Sequence, residues 1–121
     1  MDQNLDIRWK TFPEQLVKLF SNLGRDGNFT DVTLVSDDQI QTQAHKVVLS
    51  ACSPVLRNLL VNNRHSHPLV YLRGIQQIEL LAVLEFMYFG QTKVTIRRVK
   101  KFLDVAKDLE LKEVNEHTDS I

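Results

Sequence analysis

At 121 residues the chain has the length of one domain, and its 43% apolar and 25% charged residues exclude a wholly disordered polymer. Fifteen basic and fifteen acidic side chains cancel, so the basic surplus with which proteins grip phosphate backbones or anionic membranes is missing. Cys52 is the only cysteine, which rules out an internal disulfide.

The start Met1-Asp2-Gln3-Asn4 lacks the glycine needed for myristoylation, and neither an apolar leader nor a bilayer-length apolar run is present. A reducing compartment, cytosol or nucleus, is expected. Leu5-Asp6-Ile7-Arg8-Trp9 alternates apolar and polar residues, which predicts a short strand with one buried face. Thr11-Phe12-Pro13-Glu14 has the form of a capping box. Phe12, Leu16, Val17, Leu19, Phe20 and Leu23 then make a wide apolar stripe, so a helix is expected from Thr11 with Gly24 as its stop. Asp26-Gly27-Asn28 marks a turn into a β-branched strand over Phe29 to Val35. Asp37-Asp38 should turn that strand into Gln39 to Ala44, a half-buried hairpin with Val32 and Leu34 on one face and Ile40 opposite.

Lys46 to Ala51 reads as a short helix. Ser53-Pro54 opens another, serine as N-cap and proline in the first turn, with Val55, Leu56, Leu59 and Leu60 facing inward. Residues 62–68 form a polar loop, and Leu69-Val70-Tyr71-Leu72 a third strand. Ile75 to Phe89 is apolar nearly all round, as suits the central helix of a core, and Gly90 ends it. Lys93 to Ile96 is a short extended piece. Val99, Phe102, Leu103, Ala106 and Leu109 space as an amphipathic helix, followed by a polar tail over 115–121. The order predicts an α+β domain, a helical bundle capped by a short sheet.

Chemistry is thinly supplied. Asp31, His45 and Lys46 read as a polar cluster pinning strand to helix. No Ser or Cys stands at a spacing that would make His45 and Asp31 a catalytic pair. Cys52 is expected as a small buried hydrophobe rather than a reactive thiol. His65 and His67 lie in the polar loop without the further ligands a metal needs, and His117 sits in the tail. Arg97-Arg98-Val99-Lys100-Lys101 could serve nuclear import or phosphate contact, but Val99 and Phe102 belong to the apolar stripe, so the charges are expected on the wet face of a helix. Without a phosphate loop, paired carboxylates or a Walker-type lysine, an enzyme is not expected, and neither a cofactor nor a metal is called for.

Spaced matches at Asp31-Val32-Thr33-Leu34, Ala44-His45-Lys46-Val47-Val48-Leu49, Ser50-Ala51-Cys52-Ser53-Pro54 and Phe86-Met87-Tyr88-Phe89-Gly90 together resemble the BTB/POZ domain. The resemblance covers residues 5–114 within a single domain of 1–121. Leu5-Asp6-Ile7-Arg8-Trp9 resembles the extra N-terminal strand of the insect tramtrack-type subgroup, with Ile7 in place of Leu and Lys10-Thr11 in place of two Asn. Val55-Leu56 stands where the family often carries an aromatic pair.

The resemblance implies a BTB/POZ fold with that extra strand, and a protein-interaction function as the homodimerising or multimerising module of a nuclear transcription or chromatin regulator. Dimers of the family exchange the first strand and pack the first helix across a two-fold axis. The interface implied here comprises Leu5, Ile7, Trp9, Phe12, Leu16, Leu19, Phe20, Leu49 and Val94, with Lys93-Val94-Thr95 receiving the exchanged strand. Asp31, His45 and Lys46 would line the charged pocket near the axis. Implied partners are a second copy, in dimers or hexamers, and other BTB proteins or corepressors; nucleic acid and membrane are not partners of this domain. The other reading is a substrate adaptor for a cullin-type ubiquitin ligase, held through residues 53–63, although Leu60-Val61-Asn62-Asn63-Arg64 lacks the Glu of the adaptors' apolar-x-Glu motif.

Overall fold

Val32–Ser36 (β1) is enclosed along its whole length, and the rest of the fold is arranged around it. The computed structural model describes residues 2–111 and 114; the tail expected over 115–121, with His117, lies outside them. On one side β1 pairs antiparallel with Gln41–Ala44 (β2), Val32 opposite Ala44. On the other it runs parallel to Leu69–Leu72 (β3), Thr33 opposite Leu69. The sheet order is therefore β2-β1-β3. A central strand with neighbours on both edges reads as a continuous buried run. That is why the half-buried hairpin is not what forms: every β1 residue is covered, and Ile40 lies exposed in the turn. The strand also begins three residues later than expected, and Phe29, its expected first residue, takes a left-handed conformation with φ 63°.

A parallel pair needs a crossover. Lys46–Cys52 (α2) and Pro54–Val61 (α3) supply it. Ser53 caps α3 as its sequence promised, its Oγ accepting from the Leu56 N–H at 3.1 Å. Leu56 and Leu60 face inward, but Leu59, expected to join them, is exposed. Gln77–Phe89 (α4) crosses the core with Leu80, Val83, Leu84, Met87 and Tyr88 buried, leaving Ile78 and Leu81 outside. After a left-handed Gly90, the chain passes residues 91–95 without strand pairing, makes a 3-10 turn at Ile96–Arg98 and enters Val99–Asp108 (α5). Phe102, Val105 and Ala106 of α5 close the core from the far side.

The first helix departs most from expectation. Phe12–Asp26 (α1) buries no residue fully. The capping box does not form: Thr11 makes no side-chain cap bond, and the turn is held by the Phe12 N–H on the Trp9 carbonyl and the Gln15 N–H on the Thr11 carbonyl. Gly24 is inside the helix, whose stop is the left-handed Gly27. Residues 5–9, the expected extra strand, pair with no strand among the described residues and are exposed throughout.

Candidate interaction site

α1 meets the body of the fold through its C-terminal half. Phe20 and Leu23 are half-buried against the core, and Gly24 lets the helices close: a Cβ there would lie 3.0 Å from Tyr88 Cβ. The Arg25 guanidinium sits 5.5 Å from the centre of the Phe89 ring. Toward the N-terminus this contact gives out. Phe12, Leu16 and Leu19 follow one helical stripe into solvent, and the row continues through Trp9, Ile7 (95% exposed) and Leu5 (86% exposed). Trp9 and Phe12 rings pack 5.2 Å apart, so the turn between segment and helix is itself apolar.

Seven of the expected interface positions thus lie on this row, with Phe20 at its buried end. Val94 is half-buried against the core in the other unpaired stretch, 91–95. Leu49 is a correction: it is 0% exposed, enclosed in the core, and offers a partner no surface. A leucine on the buried side of a seven-residue helix completes the core before it can face outward.

The Asp31, His45 and Lys46 cluster is a joint whose polar groups are spent internally. Asp31 Oδ1 accepts the Lys46 backbone N–H at 2.7 Å, placing a carboxylate at the start of α2, where the helix dipole favours it. The Lys46 ammonium goes not to Asp31 but to the carbonyls of His65 and Ser66, at 3.0 and 3.3 Å, tying down the loop before β3. His45 is buried. Its Nε2 lies 2.5 Å from the Asn28 carbonyl, which can only accept, so the proton is assigned to Nε2. Nδ1 then accepts from the Tyr88 hydroxyl, whose oxygen takes the His45 backbone N–H at 3.0 Å. Burial pushes the Tyr88 phenol up to about 12, which keeps this donor neutral. The expected charged pocket is corrected accordingly: Asp31 and Lys46 are half-exposed, while His45 has both ring nitrogens occupied and lines no surface.

Two polar devices were not foreseen. Glu79, buried in α4, accepts from Arg98 Nε and Nη2 at 2.6 and 2.8 Å. This pair holds the 3-10 turn that follows 91–95, and Glu79 raises the Arg98 pKa by that hydrogen bond. An acid inside an otherwise apolar helix was the available signal. Ser53 Oγ, besides capping α3, donates to the Leu109 carbonyl at 2.6 Å, locking the α2–α3 joint to the end of α5. Cys52 Sγ lies 3.9 Å from the Met87 carbonyl in a half-buried setting. His67 Nε2 lies 2.9 Å from Thr33 Oγ1 and 3.0 Å from Gln43 Oε1. Among the described residues no cluster of His, Cys, Asp and Glu is arranged to hold a metal.

A family model described as the BTB/POZ domain matches residues 20–121. The chain is similar to the Drosophila melanogaster longitudinals lacking protein-like, at 40% identity over 99% of this chain and 94% of that protein. It is also similar to two larger Drosophila melanogaster proteins. Identity to protein tramtrack, alpha isoform, is 38% over 97% of this chain, and to sex determination protein fruitless 33% over 93%. The chain spans only 14% and 12% of those two proteins. Among solved structures, the BTB (Tramtrack and Bric a brac) domain of human gigaxonin superposes with a TM-score of 0.73 at 22% identity, covering 93% of this chain and 92% of that one.

Proposed function

The chain belongs to the BTB/POZ domain family, whose members mediate protein–protein interaction, and from that premise we propose that it joins to a second copy of itself through residues 5–9 and α1. One observation carries the reading: a continuous apolar row from Leu5 to Leu19 stands in water on a chain whose core is complete without it. Monomers seldom leave so large a contiguous patch uncovered. A two-fold contact uses one patch twice, so a single exposed row suffices to build both halves of the interface. Neither 5–9 nor 91–95 belongs to a ladder among the described residues, and strand addition between copies would give each one a partner. An obligate contact of this kind buries about 2,000 Å² or more.

In this role the domain holds a nuclear regulator of transcription or chromatin in dimers or larger multimers such as hexamers. Linking several copies raises the effective concentration of whatever each carries. The groove between two protomers is where corepressors or other BTB proteins would dock. Light scattering coupled to chromatography should give at least twice the mass of one chain. Leu16→Asp with Leu19→Asp, both exposed, should yield a folded monomer by circular dichroism. A monomeric wild type at micromolar concentration overturns the reading.

Exposed Leu59 and Val61 on α3, beside a shallow groove lined by Leu59, Asn62, Asn63, Arg64 and His65, support a second reading as a cullin-type ligase adaptor. Pull-down with a purified cullin N-terminal domain separates the two: nanomolar binding favours the adaptor.

A further inference from the structure

Two stretches, 2–9 and 91–95, belong to no ladder among the described residues. In 91–95 the inner face is fixed by Val94, packed half-buried on the core, so Lys93 and Thr95 point to solvent. In 5–9 the apolar set Leu5, Ile7 and Trp9 forms one face, and Asp6 and Arg8 form the other. α1 carries the two stretches apart within one chain. Its Gly24 end rests on Tyr88 and Phe89 near the start of 91–95, while Phe12 lies twelve residues, about 18 Å, further along the helix axis.

Side-chain alternation restricts how these stretches can pair. Apolar residues of 5–9 must lie on the Val94 face, since a slip by one residue would turn Leu5, Ile7 and Trp9 outward. That leaves Asp6 or Arg8 to stand opposite Lys93 on the wet face. Like charges directly opposite destabilise a strand pair, and opposite charges stabilise it. The choice of Asp6 holds for either strand direction, because both keep Leu5 and Ile7 over Val94 and Thr92.

We infer that Asp6 of one copy pairs with Lys93 of the partner subunit, and that this ion pair, formed twice across the two-fold axis, sets strand register and selects a second copy of this chain as partner. The inference rests on the self-association proposed above. Arg8 opposite Lys93 is the register it selects against.

Charge reversal tests it. Asp6→Lys and Lys93→Glu should each raise the dimer dissociation constant about tenfold at low salt, since attraction becomes repulsion at both symmetry-related sites. The difference from wild type should shrink at high salt, as exposed charges are screened. Mixing the two variants is the sharper experiment. Each variant alone sets like charges against one another, whereas a heterodimer restores an opposite-charge pair at both sites, so native mass spectrometry should show heterodimers well above the statistical half. Unchanged constants for both single variants with a dimeric wild type, or statistical mixing, overturn the inference while leaving self-association standing. A monomeric wild type removes the reading beneath it.

Discussion

Replacing Ser53 with alanine isolates a single buried hydroxyl that serves two elements. The side chain is 0% exposed, accepts the Leu56 N–H at 3.1 Å and donates to the Leu109 carbonyl at 2.6 Å. Losing the cap costs about 1 kcal/mol. The Leu109 carbonyl, on a buried residue, then loses this donor, for a further roughly 1–2 kcal/mol. The sum, about 2–3 kcal/mol, is a large part of the roughly 5–15 kcal/mol that holds a domain of this size. Urea unfolding at fixed protein concentration should show it as a midpoint shift of about 1–2 M, taking a slope of about 1.5–2 kcal/mol/M. Ser66→Ala, on the exposed loop, is the control and should stay within about 0.5 kcal/mol. Because Ser53 lies in the core and not on the apolar row, a dimer formed as proposed should keep its dissociation constant in the folded variant. A stability loss under about 0.5 kcal/mol would refute the double role of the hydroxyl.

Arg98→Ala leaves the Glu79 carboxylate buried without its guanidinium, so the melting temperature should fall by several degrees. Lys100→Ala, which breaks only an exposed pair with Asp104 at 3.6 Å, should leave it unchanged within error. Equal effects from the two in a thermal melt would contradict the buried-pair account. Alkaline pH should destabilise the fold through Tyr88. The folded phenol titrates at about 12 against an ordinary value of 10.0, so the unfolded chain loses its proton first. The contribution is complete below about pH 10 and is lost as pH rises toward about 12. Tyr88→Phe should flatten that limb of a pH–stability curve; an unaltered limb would assign it to another group.

What was legible in the sequence was whatever a short window encodes. Ser53-Pro54 announced a helix start, and the hydroxyl caps it. The apolar density of Ile75 to Phe89 announced the central helix, and Gly90 closes it in a left-handed conformation. Features that depend on distant chain were not legible. The alternation Val32, Leu34 suggested one wet face, but β3 arrives parallel from 36 residues further on, Leu69 against Thr33, and encloses the strand. Gly24 looked like a stop because its packing partners, Tyr88 and Phe89, are far along the chain. The Glu79–Arg98 pair spans 19 positions, beyond any helical spacing. Leu59 fits an inward stripe by periodicity, yet eight residues of α3 bury only two, Leu56 and Leu60.

The N-terminal row shows a third relation between local pattern and fold. The alternation of residues 5–9 predicts a strand, but a strand is defined by its ladder, and among the described residues this segment joins none. Local pattern and fold therefore disagree at this segment, and the proposed contact with a second copy is the reading that would reconcile them. α1 divides the same way along its length. Phe20, Leu23 and Gly24 pack against the core and α4, while Phe12, Leu16 and Leu19 remain about half exposed. Since no α1 residue is fully buried, acidic substitutions in the N-terminal half remove little from the core. If the chain self-associates through this row as proposed, Leu16→Asp with Leu19→Asp should abolish association in light scattering while circular dichroism keeps the folded signal; loss of both together would refute the division of α1.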